Sequence, residues 1–347
     1  MRSDAGPLPR WIGAPLSAVY GAAVRIRNRR FDRGAGVTSP PVPVISVGNL
    51  SVGGVGKTPM VQRIARLLAA QGHRPAVLLR GYKSAAGAMS DEEAEHRAAL
   101  PNAIVVANPD RVGAVEALMS RPINEQPTCV ILDDGFQHRR LGRTLDIVLI
   151  DARRDPWRDA LLPAGWLRES PSSLKRADAV VLTHADLVAP DEIERISGLV
   201  EEVSGRSPAA MVRHAWSGVR VRTPDGQFSD PPTAWLNERR AAVICAIGEP
   251  DQFLSMLREA GVEVVSTLIL QDHASFEPAA VQRVTETLSD SDAIICTAKD
   301  WARLATVVLE GFSGLIAYPS VMIEALRGGD NLDALVKAAA GAPPTVE

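Results

Sequence analysis

The sequence predicts an α/β fold: a parallel sheet with helices on both faces, followed by a smaller α/β domain joined through a two-stranded ribbon. Three observations predict it. The run Val44-Ile45-Ser46-Val47-Gly48-Asn49-Leu50 is β-branched and apolar, and it enters a glycine-rich turn that opens a proline-led amphipathic helix. Short apolar runs then alternate with helical patterns as far as residue 183, as parallel strands linked by crossover helices do. Beyond about residue 205 the pattern changes to alternating polar and apolar positions, and then to a second, shorter α/β set.

In chain order, Leu16, Val19, Tyr20, Ala23 and Ile26 fall at helical spacing, with Trp11 and Ile12 ahead of them and Arg25, Arg27, Arg29, Arg30 and Arg33 at the end. The spacing predicts an amphipathic, basic-ended helix over 14–30, which either packs on the core or lies in a membrane interface. Strands are expected at 42–48, 75–80, 103–107, 128–133, 145–151 and 177–183, with helices at 59–70 and 110–119. Met211 to Arg222 alternates, and the turn Thr223-Pro224-Asp225-Gly226 closes a ribbon whose return strand is placed at 313–319. The smaller set runs through 241–247, 250–260, 262–270, 277–288, 292–297 and 301–309, before a last helix at 330–340. The domain plan is 1–210 for the larger domain, 211–226 and 313–322 for the ribbon, 227–312 for a substrate or lid domain, and 323–347 for a segment packing back on the larger domain.

The chain has 347 residues, 46% hydrophobic and 23% charged, enough for two domains with real cores. Its net charge of −3 gives no overall electrostatic reason to expect a nucleic-acid partner. Cys129, Cys245 and Cys296 lie far apart without metal-ligand spacing, as reduced core thiols of a cytosolic setting would. The basic residues near the N-terminus follow the apolar stretch, the reverse of a secretory signal, and no run reaches the ~18 apolar residues of a spanning helix. No protein partner is evident.

The chemistry begins at Ser51-Val52-Gly53-Gly54-Val55-Gly56-Lys57-Thr58-Pro59. Gly53, Gly54 and Gly56 let backbone N–H groups point at a polyphosphate, Lys57 reaches its β/γ oxygens, and Thr58 can hold Mg²⁺ at the head of the helix. This makes the larger domain P-loop NTPase-like, with Ser51 where the general motif has its first glycine. Cys129-Val130-Ile131-Leu132-Asp133-Asp134 is an apolar strand ending in two carboxylates, followed by Gly135-Phe136-Gln137-His138. Adjacent carboxylates in an apolar-walled site repel unless a cation is present, which favours a metal at Asp133 or Asp134. Among six histidines, His138, His184 and His273 fall near expected strand ends. By pattern alone His273 is a surface or capping histidine, and Asp91 in Ser90-Asp91-Glu92-Glu93 an acidic helix N-cap.

With these segments in place, the sequence resembles the tetraacyldisaccharide 4′-kinases of lipid A biosynthesis over nearly its whole length. The resemblance is carried by Gly48-Asn49-Leu50-Ser51, where the family similarly takes Ser or Thr at Ser51, and by Arg80-Gly81-Tyr82 and Asp133-Asp134-Gly135-Phe136-Gln137-His138. It continues in Leu162-Pro163-Ala164-Gly165-Trp166-Leu167-Arg168-Glu169, Ile247-Gly248-Glu249-Pro250, Asp272-His273 and Thr297-Ala298-Lys299-Asp300. It implies transfer of the γ-phosphoryl of ATP, with Mg²⁺, to the 4′-hydroxyl of an acylated glucosamine disaccharide 1-phosphate at the cytoplasmic face of the inner membrane. The N-terminal helix would then dock the enzyme on the bilayer without spanning it. It also implies that Asp91 and His273 act together as the base unit, assembled from different domains, and that Gln137 and Glu169 serve as supporting or metal-site groups. The expected site is therefore Asp91, His273 and Lys57 for catalysis; Ser51, Gly53, Gly54, Val55, Gly56, Lys57, Thr58 and Gln137 for nucleotide; and Thr58, Asp133, Asp134 and Glu169 for metal.

Three departures from the family pattern stand out: Ser90-Asp91-Glu92-Glu93 for Gly-Asp-Glu-Pro, Lys83 for a glycine, and Ala298 for a glutamate. The alternatives are a nucleotide switch or another small-molecule kinase. Partitioning-type ATPases carry a lysine where Val52 stands, and a guanine reader would have a lysine in place of His184.

Overall fold

A computed structural model of the chain describes residues 6–81, 90–271, 274, 276–286, 288–289, 292–307 and 314–342, with backbone alone for Arg10, Asp91, Ala302 and 305–307. The elements run α1 (Arg10–Asp32), β1 (Val44–Asn49), α2 (Lys57–Ala69), β2 (Pro75–Leu79), α3 (Asp91–Ala99), β3 (Ile104–Ala107), α4 (Arg111–Met119), β4 (Cys129–Asp133), β5 (Leu145–Asp151), β6 (Ala179–Thr183), α5 (Pro190–Ser204) and β7 (Ala210–Arg222). There follow β8 (Phe228–Ser229), β9 (Arg240–Cys245), α6 (Pro250–Glu259), β10 (Glu263–Ile269), α7 (Pro278–Thr285), β11 (Ala293–Ile295), α8 (Ala298–Val307), β12 (Leu315–Arg327) and α9 (Gly329–Ala340). The chain divides into two compact units, one Ala215–Met322 and the other Arg2–His214 with Ile323–Glu347.

In the larger unit the strand order is β7-β6-β5-β1-β4-β2-β3, every neighbouring pair parallel. Central strands of such a sheet are buried on both faces, which explains their unbroken apolar runs. Ile45, Val47 and Ile131 face α2 through Met60, Ile64 and Leu68, and α9 joins this core through Leu332 and Val336. Phe136, Val148, Ile150 and Leu182 pack with Ile196 and Val200 of α5 in another cluster. The register Val47↔Asp133 brings the ends of β1 and β4 side by side, so the glycine-rich loop and the acidic pair emerge together at the carboxyl edge.

α1 presents a small-residue face to this unit. Gly13 and Gly21 are buried, Ser17 donates to the Leu161 carbonyl at 2.8 Å, and a Cβ at Gly13 would lie 2.7 Å from Ala164 Cα. Its apolar face points outward instead, with Trp11 80%, Val19 70% and Ile26 68% exposed. Among the described residues no helix is long and apolar enough to cross a membrane.

The smaller unit orders its strands β10-β9-β11-β12, all parallel, with β8 antiparallel to β7 at Val221 and Arg222. Its core joins Val243, Cys245, Leu254 and Leu257 on one side and Ile244, Phe276, Ile294 and Leu304 on the other. All three cysteines are free and buried.

Several expectations need correction. α5 lies in a stretch given no element, although Pro190 at its start and Gly205 in the left-handed conformation at its end mark it. β12 runs to Arg327 rather than 319, because its second half pairs Glu324 with Arg213 of β7. α8 begins at Ala298. Asp91 is not the N-cap of α3: Ser90 is, its hydroxyl accepting from the Glu93 N–H at 3.2 Å.

Candidate active site

The turn after β1 is shaped for an anion. Gly53 and Gly56 take φ of 128° and 87°, which side chains resist, and Gly56 caps α2. A Cβ there would also meet His214 Nε2 at 2.3 Å. Lys57 and Thr58 open α2, whose first N–H groups have no partners within the helix and whose dipole favours negative charge. Val55 is buried in the core, anchoring the loop, while Gly54 is exposed.

Lys57 is already engaged. Its Nζ donates to Asn49 Oδ1 at 3.1 Å and lies 3.5 Å from Asp134 Oδ1. The segment ending at Glu169 folds along the loop: Val52 N–H donates to the Trp166 carbonyl and Arg168 N–H to the Leu50 carbonyl. From there the Arg168 fork reaches Ser51 O, Asp134 Oδ2, Gln137 Oε1 and Asn49 Oδ1, at 3.1, 2.7, 3.2 and 3.2 Å. Gln137 Nε2 completes the ring by donating to the Asn49 carbonyl. Burial alone would raise the Asp134 carboxyl, but Lys57, Arg168 and Arg111 overcome it and bring it down to about 2.

Asp133 has different partners. His96, fully buried on α3, meets Asp133 Oδ2 through Nε2 at 2.8 Å, and Arg111 donates to the Asp133 carbonyl at 2.6 Å. Burial opposes charge on His96, yet the hydrogen bond and charge of Asp133, with Glu95 and Glu92, raise its pKa above the ordinary value. Burial and then Arg111, Arg143 and Arg140 push the nearby His138 down to about 4.

The structure thus brings Lys57, Asp134 and Gln137 into one network beside the loop, with Asp133 next in chain and Thr58 on the first turn of α2. Glu169 is elsewhere engaged: fully buried, it takes Arg27, Asn28, Arg176 and Ser173, which ties α1 to this unit. Asp91 is the first residue of α3, its side chain outside the described residues, and His273 lies outside them altogether. Asn49 and Arg168 belong to the network, and His96 and Arg111 hold Asp133 beside it, none of them with a role assigned from sequence. Asn49 and Arg168 stood within motifs that carry the resemblance, whereas His96 and Asp133 are 37 positions apart with no local pattern linking them.

An oxygen donor set suits a hard cation. Thr58 offers a hydroxyl and Asp133 and Asp134 carboxylates; Asp134 Oδ1 is buried and accepts no hydrogen bond, although the Lys57 ammonium stands 3.5 Å from it. Among the described residues no three His, Cys, Asp or Glu converge as a closed metal cage. Mg²⁺ needs none, since it keeps several waters and takes one or two carboxylates.

A glycine-rich loop between β1 and α2, a lysine at its end and an acidic neighbouring strand end define a P-loop phosphotransferase of the α/β class. The family model described as tetraacyldisaccharide-1-P 4′-kinase matches residues 9–339. The tetraacyldisaccharide 4′-kinase of Anaeromyxobacter dehalogenans (strain 2CP-1) is 36% identical over 97% of this chain and 93% of its own, and that of Geobacter metallireducens is 38% identical over 85% and 88%. The solved structure of LpxK from Aquifex aeolicus in complex with ATP is 29% identical, with a TM-score of 0.70 over 94% of this chain and 98% of that one. The chain belongs to the tetraacyldisaccharide 4′-kinase family, and it is a kinase.

Proposed function

We propose that the loop network runs transfer of the γ-phosphoryl group of ATP to the 4′-hydroxyl of a tetraacylated glucosamine disaccharide 1-phosphate, a step of lipid A biosynthesis. The observation that carries this reading is Lys57, at the head of α2 directly after the glycine-rich loop and held by Asn49 and Asp134. Backbone N–H groups from Gly53 to Thr58 cradle the phosphate chain, and Lys57 exchanges its protein partners for β/γ oxygens. Arg168 holds Ser51, Asn49 and Asp134 in place, so the cradle keeps its shape before nucleotide arrives.

Thr58 and Asp133 would hold Mg²⁺, with Asp134 beside them; the ion, when bound, offsets charge that builds up on the transferred group. Glu169 is left out of this set, because arginines take its carboxylate. The proton of the accepting hydroxyl falls to Asp91 and His273, on the strength of the family resemblance. A carboxylate beside an imidazole fixes its tautomer and stabilises the imidazolium formed on proton uptake. Asp91→Asn and His273→Ala should each lower kcat by about 100-fold or more while leaving ATP binding close to normal.

The outward apolar face of α1 fits peripheral attachment to the cytoplasmic face of the inner membrane. Trp11, Val19 and Ile26 would each contribute roughly 1.5–3 kcal/mol on leaving water, and the arginines that follow favour anionic headgroups.

The test is ADP release in detergent micelles with and without the acylated disaccharide 1-phosphate. Release should depend on that acceptor and on Lys57. Equal release without it would refute the acceptor.

A further inference from the structure

We propose that His96 is a positioning residue for the metal ion: its imidazole fixes the orientation of the Asp133 carboxylate, one of the groups that would hold the cation. This rests on the Mg²⁺ reading above. Two carboxylates stand side by side at the end of β4, and the fold gives them different kinds of partner. Asp134 takes cations, Lys57 and Arg168. Asp133 takes the edge of a fully buried imidazole at 2.8 Å, and is itself 5% exposed. That division assigns Asp134 to hold the lysine and Asp133 to meet the ion.

The geometry leaves Asp133 little freedom. Arg111, 3% exposed, donates to its carbonyl at 2.6 Å and pins the strand end, while His96 removes rotation of the carboxylate about its own axis. Mg²⁺ demands near-octahedral geometry, so it is sensitive to the direction of a ligand oxygen. Groups that orient a ligand in this way typically cost 10–100-fold in metal affinity when removed. His96 also has a feature that volume filling does not explain. Its Nδ1 is buried without a hydrogen-bond partner, so the ring carries a polar atom into the interior and uses only the nitrogen that faces Asp133.

Mn²⁺ is the probe, its free fraction read by electron paramagnetic resonance with the full chain saturated in ADP. His96→Phe fills the volume and donates nothing; His96→Gln offers an amide N–H in place of Nε2–H. His96→Phe should weaken Mn²⁺ binding about tenfold and leave ADP affinity without metal within about twofold, and His96→Gln should recover most of the loss. Mn²⁺ affinity unchanged in His96→Phe, or lowered equally by Phe and Gln, would overturn the positioning role. Asp133→Asn separates the two layers: if it weakens Mn²⁺ while His96→Phe does not, only the role of His96 fails. If Asp133→Asn also leaves Mn²⁺ untouched, the metal reading itself fails.

Discussion

Gly56 shows how narrowly a single residue can be specified. Its φ of 87° disfavours any side chain, and the space a Cβ would need is held by His214 Nε2. Gly56→Ala should therefore cost about 1 kcal/mol or more in backbone strain and displace the loop, lowering nucleotide affinity by roughly tenfold or more in a calorimetric titration. Affinity equal to the parent chain would mean the loop does not need this shape. At the same scale, the planar Arg168 fork donates to three side chains and the Ser51 carbonyl. Arg168→Lys should lose most of these bonds, because an ammonium cannot span the same set. The glycines, Lys57, Thr58 and the Asp133-Asp134 pair were legible in sequence because one local motif states each. His96 and Arg111 were not, since their contacts with Asp133 depend on elements distant in sequence being folded together.

At the scale of elements, buried strands were readable to within a residue or two, as with 145–151 against β5, because β-branched runs end abruptly at polar or glycine positions. α1 was readable as an amphipathic helix, but not which way it faced. Small residues at Gly13, Ser17 and Gly21 let it lie close against the turn Leu161 to Ala164, and the larger apolar side chains are left outside. The triple variant Trp11→Ser, Val19→Ser, Ile26→Ser should therefore weaken binding to anionic liposomes by about 100-fold or more. It should leave the melting temperature nearly unchanged, since these side chains are mostly exposed already. Undiminished liposome binding would remove the membrane role from this face.

At the scale of the whole molecule, stability should depend on pH through histidines kept neutral. Burial, then arginines, holds His138 down to about 4; burial, then His184 and Arg153, holds His214 down to about 3. Both folded values lie below the unfolded one, so the unfolded chain binds more protons between about pH 6.5 and 4. Their contribution is complete above that window and is lost as pH falls through it. Asp134 at about 2, and Asp151 held lower still against burial by His184 and Arg153, extend the loss into more acid solution. Thermal melts of a His138→Gln, His214→Gln chain should show a shallower decline between pH 6.5 and 4 than the parent, and identical slopes would contradict this. The two units divide after His214 and after Met322; α5 was passed over because its apolar stripe, Ile193, Ile196 and Val200, is short and broken by charge.

The central claim, phosphoryl transfer from the loop network to an acylated sugar, is tested most directly by following labelled γ-phosphate from ATP into the lipid in mixed micelles with Mg²⁺. The expected result is a labelled bisphosphorylated lipid, reduced by about 100-fold or more in Lys57→Ala. Label appearing only as inorganic phosphate, or reaching the lipid equally well without Lys57, would contradict it.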